Sequence, residues 1–149
     1  MGMRHEARVW AVQFLFQRDF NRGDVKEALE VFWKEVEASP KGKKFAEQIV
    51  YGVEDNLKAI DTALLKCTEH WDLHRMGAVD RNVMRVALYE MLYCPDIPPV
   101  VSINEAVEVA KDLSSYESGR FVNGVLDRAL KDLDRPSRKP QGAEKKKEG

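Results

Sequence analysis

A chain of 149 residues is long enough for one domain or two small subdomains, and it can bury a core without disulfide staples. Its formal net charge of −1 argues against a generic nucleic-acid binder, and its two cysteines, Cys67 and Cys94, form no CxxC pair and read as free thiols of a reducing compartment. No apolar run approaches the roughly 20 residues of a membrane span, and the opening Met1-Gly2-Met3-Arg4-His5 is not a signal peptide, so the expected location is the cytoplasm with no membrane partner.

The first predicted helix runs from about Arg4 to Phe20. Ala7, Trp10, Ala11, Phe14 and Leu15 recur at helical spacing and form its core stripe. Beside them lies a row of Arg4, Arg8, Val12 and Phe16, with two guanidiniums at one end and an aromatic ring at the other. Arginine suits phosphate because its planar fork donates two hydrogen bonds at once; a solvated helix face is the bland alternative. Asn21-Arg22-Gly23-Asp24 reads as a turn with Asp24 as a cap. A second helix, Val25 to Ala38, buries Val25, Ala28, Leu29, Phe32 and Val36. Ser39-Pro40-Lys41-Gly42-Lys43 breaks it. A third, long helix is predicted from Lys44 to about Cys67 on a stripe of Phe45, Ile49, Val53, Leu57, Ile60 and Leu64.

Residues 70–78 are less regular, with a short helix around Trp71-Asp72-Leu73. His70 and His74 stand four apart, a metal-compatible spacing, but no third ligand has the register, and no metal or cofactor is expected. The next helix runs from Asp80 to Tyr93 with Val83, Val86, Ala87 and Met91 inward. Asp80 suits a helix N-terminus; Arg81 and Arg85 do not, so each calls for a specific partner. Glu90, flanked by apolar residues, needs a salt bridge from within the fold. Three prolines then lead into Ser102–Lys111, where Ser102 and Glu105 have the spacing of a capping box and Ile103, Ala106, Val107 and Ala110 form an apolar face. A polar loop from Ser114 to Arg120 precedes the last helix, about Gly119 to Leu133, whose stripe is Val122, Val125, Leu126, Ala129 and Leu133. Phe121 falls beside that stripe, either as a core residue or, if exposed, as a platform for stacking a base. Residues 135–149 read as a disordered basic tail.

The sequence therefore predicts an all-α fold of about seven helices, with a domain over 1–134 divided near residues 68 and 69. Charge is unevenly spread: residues 1–23 carry +2, residues 128–149 carry +4 and the middle carries −7. Such asymmetry fits a polyanion at the termini and a basic partner elsewhere, although a lysine-rich end also serves as a plain solubility tail. No nucleophile–base pair, glycine-rich phosphate loop or metal signature appears, so an enzyme is not expected. A basic first helix, a Ser/Tyr/Gly/Arg loop and an aromatic beside it are ingredients of single-stranded RNA recognition.

Four segments together resemble the NusB family of transcription antitermination factors. They are Arg4-x-x-x-Arg8 with Ala11-Val12-Gln13-x-Leu15-Phe16; Asp80-Arg81-x-x-x-Arg85-x-Ala87-Leu88-Tyr89-Glu90; Asp96-Ile97-Pro98 leading to Ile103-Asn104-Glu105-Ala106-Val107-Glu108-x-Ala110-Lys111; and Phe121-Val122-Asn123-Gly124-Val125-Leu126-Asp127. The resemblance implies two small helical bundles packed across each other. It implies binding of boxA-type RNA together with NusE, a basic small-subunit ribosomal protein, in a complex with other Nus factors on RNA polymerase. A homodimer in the free state stays open. The RNA-binding residues it implies are Arg4, His5, Arg8, Gln13, Lys111, Ser114, Ser115, Tyr116, Arg120, Phe121 and Asn123; those facing NusE are Phe16, His74, Asp80 and Arg81. His5 and Glu6 stand where relatives often carry further arginines, which weakens the basic N-terminus or shifts RNA contact elsewhere. Two other readings remain: the RNA-recognition domain of an rRNA methyltransferase, and a helical adaptor that binds only protein.

Overall fold

The structure, a computed structural model, describes residues 2–68, 73 and 76–133. These residues form seven helices and no strand: α1 (Met3–Phe20), α2 (Val25–Glu35), α3 (Pro40–Asp55), α4 (Leu57–Thr68), α5 (Ala78–Tyr93), α6 (Pro99–Leu113) and α7 (Tyr116–Leu133). The short helix expected around Trp71-Asp72-Leu73 lies, apart from Leu73, outside the described residues. So do His70, His74 and the tail beyond Leu133.

Local chemistry sets the helix ends, and it corrects the sequence reading in several places. Asp24 caps α2 by accepting from the Glu27 N–H at 2.9 Å, as its type predicts. The α2 helix stops at Glu35 because Val36 is already extended. The Ser39–Lys43 stretch, read as a break, is also a start: Ser39 Oγ accepts from the Gly42 N–H at 3.0 Å, and Pro40 occupies the first turn, where its missing N–H costs nothing. The long third helix is in fact two. Asn56 interrupts it, turning its backbone N–H and its Nδ2 onto the Gly52 carbonyl. The apolar stripe passes through that interruption unbroken, so periodicity alone did not reveal it.

Ser102 is not a cap. The α6 helix begins at Pro99, with Pro98 before it, which places Ser102 inside the helix. Its hydroxyl donates to Glu90 Oε1 at 2.6 Å, and Glu105 turns away toward α1. The serine that caps is Ser115, whose Oγ accepts from the Ser118 N–H at 3.0 Å and starts α7 three residues before the predicted Gly119.

The α5 helix is the shared neighbour, packing against α1, α3, α4, α6 and α7. The predicted inner residues Val83, Val86, Ala87 and Met91 are buried, and so are Asn82, Met84, Arg85, Leu88 and Glu90. A helix enclosed on most sides must satisfy its charged groups internally. Glu90 does so with Arg8, which donates from Nε at 2.7 Å and from Nη2 at 3.1 Å, in addition to Ser102. Arg85 holds Asp61 through Nε at 2.8 Å and Asp19 through Nη1 at 3.1 Å. Asp19 also accepts from Arg81 and Asn82, each at 2.8 Å. Burial works against the Asp19 carboxylate, but the Arg81 and Asn82 hydrogen bonds and the Arg85 charge outweigh it and lower its pKa.

Candidate nucleic-acid and partner interfaces

Three faces of α1 have three different fates. Arg8 points inward; it is 5% exposed, and its guanidinium is spent on Glu90. A phosphate contact by Arg8 is therefore corrected: the row that joined it to Arg4 mixes a solvent-facing residue with a core ion pair. Arg4 is exposed, its guanidinium 4.9 Å from the centroid of the Phe45 ring. His5 bridges to α6, with Nδ1 3.0 Å from Glu105 Oε1 and Nε2 2.9 Å from Asp112 Oδ2. Burial disfavours the charged imidazole, but the Asp112 and Glu105 hydrogen bonds prevail and its pKa rises above the ordinary value.

Asp112 is the immediate neighbour of Lys111, so His5 ties the start of α1 to the end of α6. Lys111 Nζ lies 3.3 Å from Glu108 Oε2 and 5.7 Å over the ring of Tyr116, itself 68% exposed. The lysine stem runs across Gly119, where a Cβ would stand 2.8 Å from Lys111 Cγ, so α7 approaches α6 closely because it carries no side chain there. Ser114 and Ser115 are exposed, and Ser118 Oγ donates to Ser114 Oγ at 2.9 Å. Arg120 and Asn123 are exposed on α7. Phe121 is half-buried and packs against the core. The structure thus gathers His5, Lys111, Ser114, Ser115 and Tyr116 around the α6–α7 corner.

Gln13 belongs elsewhere. It is exposed on the rim of a groove of about 510 Å³ between α1, α2 and the α5 and α6 ends, with Val12, Phe16, Val31, Val79 and Leu113 among its lining residues. Phe16 and Phe20 meet edge to face at 5.2 Å, and Phe20 and Val31 are 71% and 61% exposed. Phe20 and Val31 went unread in the sequence; their signal was apolar character off the core stripe. Asp80 follows Val79 at the groove's edge. It is half-buried, and its Oδ1 is fully enclosed without a partner. Burial pushes its pKa up, against a smaller opposing influence from Ser118. Arg81 faces inward, donating to Asp19 and to the Leu73 carbonyl at 2.8 Å, which corrects its assignment as a docking residue. His74 lies outside the described residues.

The NusB family profile matches residues 5–131. The transcription antitermination protein NusB of Sorangium cellulosum is 41% identical over 138 residues, covering 93% of this chain and 99% of that one. Among solved structures, NusB of T. maritima is 36% identical with a TM-score of 0.77, covering 91% of this chain and 95% of that one. An antitermination factor NusB crystallised with NusE and dsRNA shares the fold at 24% identity and a TM-score of 0.79, covering 89% of this chain and 98% of that one. With the profile spanning most of the seven helices and a relative matched nearly end to end, this chain belongs to the NusB family.

Proposed function

We propose that this protein acts in transcription antitermination by binding single-stranded boxA-type RNA as a heterodimer with NusE, in a complex with other Nus factors on RNA polymerase. It contributes binding and no catalysis. Family membership supports the role, and a NusB of the same fold has been crystallised with NusE and dsRNA. The observation that carries the division of labour is the adjacency of two unlike surfaces. The α6–α7 corner offers Lys111, Tyr116 and Arg120 to a ribose-phosphate chain; the groove offers Phe16 and Val31 to a protein, with the exposed Phe20 against Phe16 and the Asp80 carboxylate nearby. The acidic middle of the chain suits a basic partner.

A titration of boxA RNA with and without NusE, followed by fluorescence anisotropy, tests this. NusE is expected to tighten RNA binding, Lys111→Ala to weaken it with the NusE affinity unchanged, and Phe16→Ala to weaken NusE capture first. RNA binding that ignores both NusE and Lys111 overturns the reading.

A further inference from the structure

A second concave site lies on the far side of Arg4. A cleft of about 210 Å³ opens between the first turn of α1, α3 and the turn joining α5 to α6. Its floor includes Glu90, whose charge is already balanced by Arg8, so the floor presents no uncompensated ion. Tyr89 forms one wall. Its ring sits on Gly52, where no side chain would fit, and burial together with the neighbouring Cys94 and Glu90 pushes the phenol up to about 12. The wall is therefore neutral.

Three polar side chains line the cleft without an internal hydrogen bond among the described residues: Arg4, Gln48 and Asp96, all exposed. Arg4 is held from behind by the Phe45 ring, which leaves its flat guanidinium as a surface on which a planar group can stack. Asp96 is an acceptor only, and its two oxygens match two adjacent donors; Gln48 supplies both a donor and an acceptor. Among the four RNA bases, guanine alone carries adjacent N1–H and N2–H₂ donors on one edge, with the O6 and N7 acceptors on the next. Adenine and cytosine offer one amino donor beside an acceptor, and uracil one N–H between two acceptors.

We propose that this cleft is a guanine site, with the base stacked on Arg4, its N1–H and N2–H₂ edge on Asp96 and its O6 or N7 facing Gln48. The base comes either from RNA bound at the α6–α7 corner, in which case the inference rests on the RNA reading above, or from a free guanine nucleotide.

Two probes separate these sources on the full chain. GMP and AMP are titrated while the Phe45 and Tyr89 ring resonances are followed by NMR. In parallel, a single-stranded uridine nonamer with one central guanine is compared with the same oligomer carrying inosine, which lacks the N2 amino group. The expected result is a response of both rings to GMP and not to AMP, and a guanine-over-inosine preference of roughly fivefold or more for RNA. Asp96→Asn, a surface change, removes both. Equal response to GMP and AMP, or a guanine preference that survives Asp96→Asn, overturns the site. If GMP binds as described and RNA does not bind at all, the RNA reading falls and the guanine site stands as a nucleotide site. If RNA binds without preferring guanine and GMP leaves the rings unmoved, the guanine site falls and the RNA reading stands.

Discussion

Arg8 and His5 lie three residues apart on α1, and opposite physics governs them. Arg8 and Glu90 are both nearly inaccessible and pair through two hydrogen bonds. Removing one member of such a pair leaves an uncompensated buried charge, which typically costs about 3–5 kcal/mol. Arg8→Met is expected to lower the unfolding free energy by that order, and the double variant Arg8→Met/Glu90→Leu to recover most of it, as chemical unfolding will show. His5 is a partly accessible switch. Its folded-state pKa is raised, so its ion pairs stabilise the fold fully below the unfolded pKa and lose that effect as pH rises through the folded value. The stability difference between the wild type and His5→Gln, on the order of 0.2–1 kcal/mol, should be present at pH 5.5 and gone by pH 9 in parallel melts.

Arg8 also shows what a sequence can and cannot say at this scale. The need of Glu90 for an internal salt bridge was legible from its apolar flanks; the identity of the partner was not, because Arg8 is 82 residues away. Spacing assigned Arg8 to the same solvent row as Arg4, since residues four apart share a face. That face turns into the core after one turn.

Among the elements, α3 and α5 cross where Gly52 meets the Tyr89 ring. Any side chain at position 52 drives into the Tyr89 ring, which would have to shift. Gly52→Ala should therefore destabilise by about 1–3 kcal/mol, although alanine favours helix over glycine by up to about 1 kcal/mol; a thermal melt of the variant measures the sign. Helix identity was readable from periodicity throughout, because each stripe repeats every three or four residues. Helix boundaries were read less well. The Asn56 interruption depends on one side chain reaching the Gly52 carbonyl, the starts of α3 and α7 depend on Ser39 and Ser115 finding a backbone N–H, and α6 starts at its prolines with no side-chain cap. Ser102 and Ser115 have equal capping chemistry; Glu90 recruits the first and leaves the second free to cap.

Across the whole molecule, the groove and the α6–α7 corner lie side by side: Leu113 lines the one, and Ser114, the next residue, belongs to the other. Asp80, next to Val79 at the groove's edge, is close enough to Ser118 for its carboxyl to feel that side chain. A carboxyl with a raised folded-state pKa destabilises the fold once ionised, so stability is lost as pH rises through that pKa. Asp80→Asn should thus be at least as stable as the wild type at pH 7. It should also shrink the factor by which NusE tightens RNA binding toward one, from a coupling that is typically about 5–150-fold. Calorimetry and the four-way titration read these two effects separately. The logarithm of RNA affinity should fall linearly with the logarithm of salt concentration, and Lys111→Ala should make that slope shallower by about one counterion. The fold class was visible in residue types and order; the expected convergence of Arg4 and Arg8 with Lys111 was not met, since Arg8 pairs with Glu90 and Arg4 lies over Phe45. The groove was not legible, since it is made of side chains from four helices that no window of sequence contains.

The bridges from His5 to Glu105 and Asp112, and from Arg8 to Glu90, also bear on synthesis. A ribosome releases the N-terminal helix first, yet every acidic group that anchors its first turns is encoded more than 80 residues downstream. Until positions 90, 105 and 112 have left the exit tunnel, Arg8 and His5 lack these tethers. The surface around the α6–α7 corner comes into being only once α6 and α7 have been made, so a nascent chain that stops short of them lacks that organised face.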